Sequence, residues 1–356
     1  MKIFTVGPVE MFHETLDVRS RQIPYFRTEE FSKMMLDTDD KLKKILGARD
    51  DAKTIYLTAS GTAAMEATVI NCFTEEDKLL IINGGTFGQR FCQICNIHNI
   101  SYTDIKVPFE DNLTADMLSE YDNKGYTGLL VNLDETSIGK LYDLNIMSDF
   151  CKRNNAYFIV DAIGAAFMDE IYADKYGIDA LIFSSQKALA LAPGMSFVIL
   201  SAKILEERVY NIEPKTMYFD FKDYLKNFER GQTPFTPAVG VCMELSDMVN
   251  RYYKKGIDTV IKEKEENAIY FRKALSENGF NVPGYTLSNA VTPILIDGYA
   301  YDLYLLLKNE FDMVVTPNGG ELKDRIVRVG NMGNLNVDDY DKLIENMLMA
   351  KKRLCN

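Results

Sequence analysis

The sequence predicts an α/β fold in which a large domain with a mostly parallel, seven-stranded sheet covered by helices precedes a smaller C-terminal α+β domain. Between about residue 50 and residue 200, short apolar runs alternate with longer amphipathic stretches, and strands that alternate with helices indicate a parallel sheet. Past about residue 245 the alternation gives way to a long charged stretch and then to short strands. Because 356 residues are more than one core usually organises, we expect an N-terminal segment of residues 1–14 near the active site, a large domain of residues 15–245 and a small domain of residues 246–356.

The apolar runs of the large domain have the lengths of buried strands. They cover residues 54–58, 78–83, 100–107, 128–132, 157–160, 180–184 and 196–200. Helical patterns fall between most of them, as at residues 63–72, 87–98 and 146–154. In the small domain we predict one long charged helix over residues 248–278, strands at 290–296, 314–316 and 326–330, and helices at 301–310 and 337–354. Open parallel sheets bind their ligands beyond the carboxyl ends of the strands, so polar residues at these ends are candidates for a binding site.

The composition disfavours several classes of partner. A net charge of −12 is unsuited to nucleic acid and to anionic membranes. No apolar stretch approaches the length of a membrane span, and the first residues lack the features of a signal peptide. The six cysteines are scattered through apolar segments, as in reduced cytosolic proteins, so we expect a cytoplasmic protein. With two histidines and no HExxH motif, no metal site is expected.

Lys187 is the most informative single residue, since it lies in a short loop between the predicted strands 180–184 and 196–200. Asp161 directly follows another predicted strand, residues 157–160. A carboxylate at a strand end and a lysine in a later strand loop form the layout that holds pyridoxal phosphate (PLP). The lysine forms a Schiff base with the cofactor aldehyde, and the aspartate keeps the pyridine nitrogen protonated. Taken alone, Lys187 could equally be an ordinary surface lysine, and Asp161 could be an aspartate that caps a helix. The choice between these alternatives and a PLP site therefore depends on the other motifs.

Ser60, Gly61 and Thr62 suit an anion site, because they follow the predicted strand 54–58 and open a helix. The free N–H groups and the dipole of a helix start favour a phosphate. A simple N-cap made of small residues is the alternative. The segment is not a Walker loop, and no GxGxxG occurs, so nucleotide binding has no motif behind it.

Two loops carry groups that could contact a ring. Phe87 follows two glycines, which would let it lie flat over an aromatic ring; a core anchor is the alternative. Thr136 and Ser137 follow the predicted strand 128–132, and their hydroxyls could reach a phenolic oxygen or bond locally within a turn.

Arginines supply candidate sites for carboxylates. Arg328 lies near the end of the predicted strand 326–330, where a guanidinium suits bidentate binding of a carboxylate; an isolated surface arginine is the alternative. Arg27 and Tyr25 fit an anion pocket or an exposed basic loop equally well. Prolines make residues 231–237 a loop.

Taken together, these segments resemble the class V, fold-type I PLP aminotransferases, and most of all the alanine–glyoxylate or serine–pyruvate and the 2-aminoethylphosphonate–pyruvate transaminases. The likeness runs nearly end to end, from Gly7 to Gly330. It implies the fold-type I transferase fold, PLP as cofactor, and a homodimer with its active sites at the interface. The roles it implies are the Schiff base and proton shuttle for Lys187, the pyridinium for Asp161, ring stacking for Phe87, phosphate binding for Ser60, Gly61, Thr62 and Gln186, the ring oxygen for Ser137 or else Thr136, the phosphate of the partner subunit's cofactor for Thr233, and the substrate carboxylate for Arg328.

The resemblance implies a ping-pong transamination, in which a small amino donor of the alanine, serine or 2-aminoethylphosphonate type gives its amino group to pyruvate or glyoxylate. Some positions depart from the family. Alanine–glyoxylate enzymes often have tryptophan where Phe87 stands, a histidine or glycine is common in place of Leu133 or Asp134, and Arg230 stands where an aromatic phosphate contact is expected. These departures leave PLP binding intact and the identity of the substrates open.

Three other functions compete with transamination. A cysteine desulfurase shares the fold type but needs a cysteine on a mobile loop, and residues 243–354 contain none. A PLP-binding protein without turnover has no need of both Lys187 and Asp161. A dehydrogenase of the Rossmann type is disfavoured because the glycine fingerprint is missing.

Overall fold

The computed structural model describes residues 1–355. Its strands are β1 (Lys2–Ile3), β2 (Lys53–Leu57), β3 (Lys78–Asn83), β4 (Ser101–Lys106), β5 (Gly128–Asn132), β6 (Asp134–Glu135), β7 (Lys140–Leu141), β8 (Tyr157–Asp161), β9 (Ala180–Ser184), β10 (Ser196–Leu200), β11 (Val291–Leu295), β12 (Met313–Val314), β13 (Thr316–Pro317) and β14 (Ile326–Gly330). Its α-helices are α1 (His13–Arg19), α2 (Glu29–Ile45), α3 (Gly61–Cys72), α4 (Gly88–Ile97), α5 (Ala115–Ser119), α6 (Leu144–Asn154), α7 (Ala173–Tyr176), α8 (Ala202–Ile204), α9 (Phe221–Phe228), α10 (Val239–Lys255), α11 (Ile257–Glu277), α12 (Ala300–Glu310) and α13 (Val337–Leu354).

The predicted large sheet is confirmed. It has seven strands in the order β2-β10-β9-β8-β5-β3-β4. The pairs from β9 to β4 are parallel, whereas β10 runs antiparallel to both of its neighbours. The seven predicted apolar runs are the seven strands of this sheet, with small differences at their ends.

Alternation along the central strands divides the large domain into two apolar layers. In β3, Leu80 and Ile82 belong to one buried cluster, and Leu79 and Ile81 belong to the other. Successive side chains of a strand point to opposite faces, so both faces of the sheet need cover. Helix α3 covers one face by packing against β9 and β10. Because these strands are buried on both faces, their sequences are continuous apolar runs.

A smaller sheet near the C-terminus has the order β11-β14-β13, and helices α11, α12 and α13 pack around it. The start of the chain is built into this part, because β1 pairs in parallel with β12 and Phe4 is buried in its core. The Gly330 N–H donates to the Phe4 carbonyl at 2.8 Å, and a side chain at Gly330 would collide with the Thr5 carbonyl. The N-terminal segment therefore forms part of the wall of the C-terminal unit.

Two predicted elements of the small domain are corrected. The single charged helix over residues 248–278 is wrong, because the chain forms α10 and α11 with a break at Gly256, where φ is +85°. A positive φ lies outside the helical range, and glycine adopts it without strain. The single strand over residues 314–316 is also divided, since β12 pairs with β1 while β13 pairs with β14. The predicted domain limits remain a prediction; the limit at residue 245 falls inside α10.

Among residues 1–355, we find no helix that is long and apolar enough to cross a membrane.

Tyr340 provides a test of packing in the C-terminal core. It is fully buried and stacks on Phe271 with ring centroids 4.6 Å apart, but its hydroxyl has no hydrogen-bond partner among the described residues. Burying an unpaired hydroxyl is unfavourable. We therefore expect Tyr340→Phe to raise the free energy of unfolding by about 1 kcal/mol in denaturant titrations.

Tyr56→Phe is the matched control, because the buried Tyr56 hydroxyl donates to Asp39 Oδ1 at 3.0 Å. Losing that bond should lower the free energy of unfolding by about 1 kcal/mol. Equal losses in the two variants would contradict the assignment of an unpaired hydroxyl to Tyr340.

Candidate functional site

Asp161 forms the base of a polar site at the carboxyl ends of the central strands. It ends β8 and lies opposite Asn132, the last residue of β5. Its Oδ2 accepts a hydrogen bond from Asn132 Nδ2 at 2.8 Å, and its Oδ1 accepts one from the Ile163 N–H at 2.9 Å. Burial raises the pKa of Asp161 to about 6, against the effect of these two bonds. The result is a fixed carboxylate that can receive a protonated ring nitrogen.

Lys187 lies in the loop that joins β9 to β10, and its charge lowers the pKa of Asp161. The loop is closed by a hydrogen bond from the Ser185 N–H to the Met195 carbonyl at 3.0 Å. Lys187 Nζ donates to the Val6 carbonyl, and a side chain at Gly7 would come within 2.8 Å of Lys187 Cδ and Cε. Burial lowers the pKa of Lys187 to about 8. The amine is therefore held by the N-terminal segment and is partly neutral near physiological pH.

Helix α3 presents its N-terminus to the same region. Ser60 is the N-cap residue, and its side chain makes no capping hydrogen bond. A side chain at Gly61 would collide with Ile163 Cδ1, two residues beyond Asp161. Thr62 Oγ1 accepts a hydrogen bond from Arg90 Nη1 at 2.8 Å. A guanidinium is thus added to the hydroxyl and N–H donors of the helix start.

Glu135 holds two loops of the site together. Its carboxylate accepts hydrogen bonds from the Phe87 N–H at 3.2 Å, the Gly88 N–H at 3.0 Å and Ser137 Oγ at 2.5 Å. The half-buried ring of Phe87 lies under the Arg90 guanidinium at 4.8 Å. The predicted stacking residue and the predicted hydroxyls are therefore fixed to one another by a buried acid.

Arg328 reaches the site from the small sheet. Its Nη1 donates to the Thr136 carbonyl at 3.1 Å and its Nη2 donates to the Pro317 carbonyl at 2.8 Å. Its Nε is buried and has no partner within the described chain. Burial lowers the pKa of Arg328 to about 10, and the charge of Arg328 is one of those that lower the pKa of Lys187.

Three other residues named from the sequence make no hydrogen bond to this cluster. Thr233 donates to the Phe235 carbonyl at 2.7 Å and lies in a loop that is bound by Arg27. Arg27 donates to the carbonyls of Thr233 and Pro234, so its guanidinium stabilises the loop. Gln186 is half-buried beside Lys187 and makes no hydrogen bond in the part of the chain that the structure describes.

Two further residues named from the sequence lie outside the cluster. Tyr25 is 68% exposed. Arg230 Nη2 donates to Asn227 Oδ1 at 2.8 Å, on the surface.

Sequence reasoning missed four residues of the site. The sequence predicts no role for Arg90, Asn132, Asp134 or Glu135. Their position after the strand 128–132 was a usable signal, because carboxyl ends of parallel strands gather at one edge of a sheet. Asn132 can be connected with Asp161 only when β8 is known to pair with β5. Sequence periodicity does not reveal which strands are neighbours.

The donor set fits PLP. The buried carboxylate of Asp161 suits a pyridinium, the α3 N-terminus with Ser60, Thr62 and Arg90 suits a phosphate, and Lys187 supplies the amine. Gly85 leaves space in the site, because a side chain there would lie 2.6 Å from Ser137 Oγ.

Comparison with known proteins points to the same chemistry. The sequence model of the family described as Aminotransferase class-V matches residues 17–304. An uncharacterised aminotransferase of Methanocaldococcus jannaschii is 29% identical over 92% of this chain and 86% of its own length. The L-aspartate–glyoxylate aminotransferase of Paracoccus denitrificans is 25% identical over 94% of this chain and 86% of its own length.

A solved structure supports the fold. The alanine–glyoxylate aminotransferase of Nostoc sp. superimposes with a TM-score of 0.92 at 23% identity, covering 98% of this chain and 94% of the other. The prediction of the fold-type I architecture is thereby confirmed.

Asp161 is expected to destabilise the protein without cofactor. Its pKa is 3.8 ordinarily and about 6 in the folded chain. An acid whose folded pKa is raised binds its proton more tightly when folded, so stability falls as pH rises from about 4 to about 6. We expect Asp161→Asn to raise the free energy of unfolding of cofactor-free protein by about 3 kcal/mol at pH 7, to show no such gain below pH ~4, and to weaken PLP binding.

Urea titrations at several pH values measure the first effect, and equilibrium dialysis with PLP measures the second. Asp122→Asn is the control of opposite sign, since hydrogen bonds from Arg153 and Asn154 lower the pKa of Asp122. An Asp161→Asn protein no more stable than the parent at pH 7 would show that Asp161 carries no such penalty.

Proposed function

Because this chain belongs to the class-V aminotransferase family, we propose that it transfers an amino group from a small amino donor to a small 2-oxo acid by a ping-pong reaction through Lys187. The chain is a PLP-dependent transferase. The donor is of the alanine, serine or 2-aminoethylphosphonate type, and the acceptor is pyruvate or glyoxylate. The observation that carries the proposal is the placement of the Lys187 amine among Asp161 and Arg328, whose charges both act on its pKa.

PLP, when bound, supplies the aldehyde and an electron-accepting ring. Asp161 would hold the ring nitrogen, with its carboxylate oriented by Asn132 and by the Ile163 N–H. Phe87 would stack on the ring. The free N–H groups of α3, the hydroxyls of Ser60 and Thr62, and Gln186 would bind the phosphate, with Gly61 allowing close approach.

The hydroxyls of Thr136 and Ser137 remain the candidates for the ring oxygen. The Ser137 hydroxyl donates to Glu135, and Thr136 Oγ1 donates to the Asp134 carbonyl at 3.1 Å. Both hydroxyl hydrogens are in use, so either residue would accept a hydrogen bond from the ring hydroxyl or exchange its present partner.

Lys187 Nζ would remove the α-proton of the donor and return it on the cofactor side. A base must be neutral to accept a proton, and burial, followed by the charges of Arg328 and Arg90, favours the neutral amine. With a pKa of about 8, Lys187 is partly neutral at pH 7 and mostly neutral above pH ~8. The first half-reaction should therefore speed up as pH rises through this range.

Arg328 would bind the substrate carboxylate. Its guanidinium is fixed by two carbonyls, while the buried Nε lacks a partner among residues 1–355. A fixed guanidinium with a donor to spare suits a planar carboxylate. The site therefore favours a small 2-oxo acid as one partner.

A homodimer in the cytoplasm completes the proposal. Thr233 would contact the phosphate of the partner subunit's cofactor, which accounts for its distance from the cluster in its own chain. Arg27 fixes the backbone of this loop through the carbonyls of Thr233 and Pro234, so the loop would already have its shape before two subunits meet.

The cysteines give no support to desulfurase chemistry. Cys72, Cys92, Cys95, Cys151 and Cys242 are buried, and Cys355 is exposed at the end of α13. Burial raises the pKa of the buried thiols, and a raised pKa keeps a thiol unreactive.

Lys187→Ala should abolish transamination, because it removes the amine that would link to the cofactor and move the proton. The measurement is a half-reaction screen of PLP-loaded protein with alanine, serine, aspartate, 2-aminoethylphosphonate or cysteine, followed by absorbance and by detection of the oxo product. Lys175→Ala, an exposed lysine paired with Glu170, is the control and should keep full activity. Substantial turnover in Lys187→Ala, or release of sulfide from cysteine, would refute the proposal.

Arg328→Gln should lower kcat/KM for pyruvate and glyoxylate by about 100-fold, since a buried charge-assisted bond to the carboxylate is lost. Arg325→Gln, an exposed arginine just before the same strand, is the matched control. Thermal melting of both variants separates loss of binding from loss of folding. An unchanged kcat/KM in a folded Arg328→Gln protein would remove Arg328 from the substrate site.

A further inference from the structure

Asp169 is a buried acid to which the proposed reaction assigns no role. It lies in the loop that follows Asp161 at the end of β8. Its Oδ2 accepts a hydrogen bond from Ser288 Oγ, and its Oδ1 accepts one from the Asn289 N–H at 2.9 Å. The neighbouring Met168 carbonyl accepts a third, from Asn289 Nδ2 at 3.0 Å. These bonds join the loop after Asp161 to the chain that leads into the small sheet.

The loop between Asp161 and Asp169 is compact. The Asp169 N–H donates to the Ala165 carbonyl at 2.9 Å, and residues 165–168 are buried. Asp161 is itself held by hydrogen bonds from Asn132 and from the Ile163 N–H. Because a packed interior deforms little, the loop keeps the two carboxyl groups at a fixed separation.

The other side of this joint leads to Arg328. Strand β11 begins two residues past Asn289 and pairs antiparallel with β14, so that Pro293 lies opposite Arg328. Asn331, directly after β14, donates from Nδ2 to the Asn289 carbonyl at 3.0 Å. The residue that Asp169 holds is therefore bonded to the end of the strand that carries Arg328.

The turn between Ser288 and Val291 is fixed by Arg272 of α11. Arg272 Nη2 donates to the Ser288 carbonyl and to the Val291 carbonyl, the latter at 3.1 Å, and its Nε donates to Thr292 Oγ1 at 3.2 Å. Ser288 Oγ also accepts the Ala290 N–H at 3.0 Å. A turn held by so many bonds transmits a position from Asp169 to β11 with little flexing.

We propose that Asp169 is a positioning residue, which sets the place of Arg328 relative to Asp161. The inference rests on the proposed function for the ligands of these two residues, a substrate carboxylate on Arg328 and a ring nitrogen on Asp161. A reacting molecule is held well only when the groups that bind its parts have the correct separation. Asp169 would supply that separation across the boundary between the large and the small sheet.

The test measures pyruvate binding to PLP-loaded Asp169→Ala protein by calorimetric titration, without an amino donor and therefore without turnover. Arg328 keeps its own bond to the Thr136 carbonyl, so its strand would shift rather than detach. We expect pyruvate to bind about 10-fold more weakly and PLP affinity, measured by equilibrium dialysis, to stay unchanged. Ser288→Ala removes one donor from the other side of the joint and should weaken pyruvate binding in the same direction.

Asp179→Ala is the matched control. Asp179 is buried and has the same kinds of partner as Asp169, since it accepts from Ser201 Oγ at 2.7 Å and from the Phe158 N–H at 3.0 Å. These residues belong to the large sheet or adjoin it. Asp179→Ala should lower the melting temperature as Asp169→Ala does, and it should leave pyruvate binding at the parental value.

Asp169→Asn is the conservative variant. An amide oxygen can accept from the Asn289 N–H, and an amide nitrogen can donate to the Ser288 hydroxyl. The joint should therefore persist, and pyruvate should bind with close to parental affinity.

A double-mutant cycle tests whether Asp169 acts through Arg328. Effects of independent residues on kcat/KM multiply, whereas effects that share one interaction do not. Adding Asp169→Ala to Arg328→Gln should therefore change kcat/KM for pyruvate by less than about 2-fold. A defect in folding alone would lower kcat/KM as much in the Arg328→Gln protein as in the parent.

Parental pyruvate binding in folded Asp169→Ala and Ser288→Ala proteins would overturn the inference. An equal loss in Asp179→Ala, an equal loss of PLP affinity, or fully multiplicative effects in the cycle would also overturn it. If Arg328→Gln does not weaken pyruvate, the proposed substrate site fails together with the inference. If the parent protein binds pyruvate but does not transaminate, the proposed function alone fails, and the binding titration still decides the role of Asp169.

Discussion

The pairing of β5 with β8 is the constraint on which the rest of the site depends. Parallel register places Asn132 beside Asp161 at the same sheet edge, and the Asn132 amide then holds one oxygen of a carboxylate that burial would otherwise leave unsupported. A one-residue slip of β5 against β8 would place these two side chains on opposite faces of the sheet. The buried apolar strands on either side prevent such a slip, so the core determines where a charged group can act.

A second constraint is the connection between the two sheets. The Phe4 carbonyl accepts from Gly330 at the end of β14, and the Val6 carbonyl accepts from Lys187. Arg328 on β14 donates to the Thr136 carbonyl in the turn that follows β6. The first residues of the chain therefore lie between the small sheet and the amine. A displacement of the small sheet would therefore change the surroundings of Lys187 and of Arg328 together.

Much of this could be predicted from the sequence, for physical reasons that differ among elements. The strands buried on both faces are continuous apolar runs bounded by polar residues, so β3, β5 and β9 were found with their observed limits. The helix over residues 337–354 was found because its apolar stripe is regular. The break at Gly256 was missed, because the charged residues continue on both sides of it and a single glycine does not by itself end a helix.

In the candidate site, too, some residues could be predicted from local sequence and others could not. Asp161 and Lys187 carry chemistry that local sequence reveals, and the structure brings both to one place. Asn132 and Glu135 act through neighbours that are 29 and 48 residues away in the chain, namely Asp161 and Phe87. Arg27 shows the converse. The local sequence fits an anion pocket or an exposed basic loop equally well, whereas in the structure its guanidinium donates to backbone carbonyls of its own chain. Partners distant in sequence are set by tertiary packing, which periodicity does not encode.

The direction of β10 has a consequence for motion. Because β10 runs antiparallel between β9 and β2, the Lys187 loop is anchored at both ends to strands in the interior of the ladder. Amide hydrogens of β9 and β10 should therefore exchange with solvent only through global unfolding, whereas those of the short β1, which has a single two-residue pairing, exchange by local opening. The Lys187 loop would thus join two slow-exchanging strands, whereas the Val6 carbonyl that accepts from its amine lies three residues beyond the fast-exchanging β1.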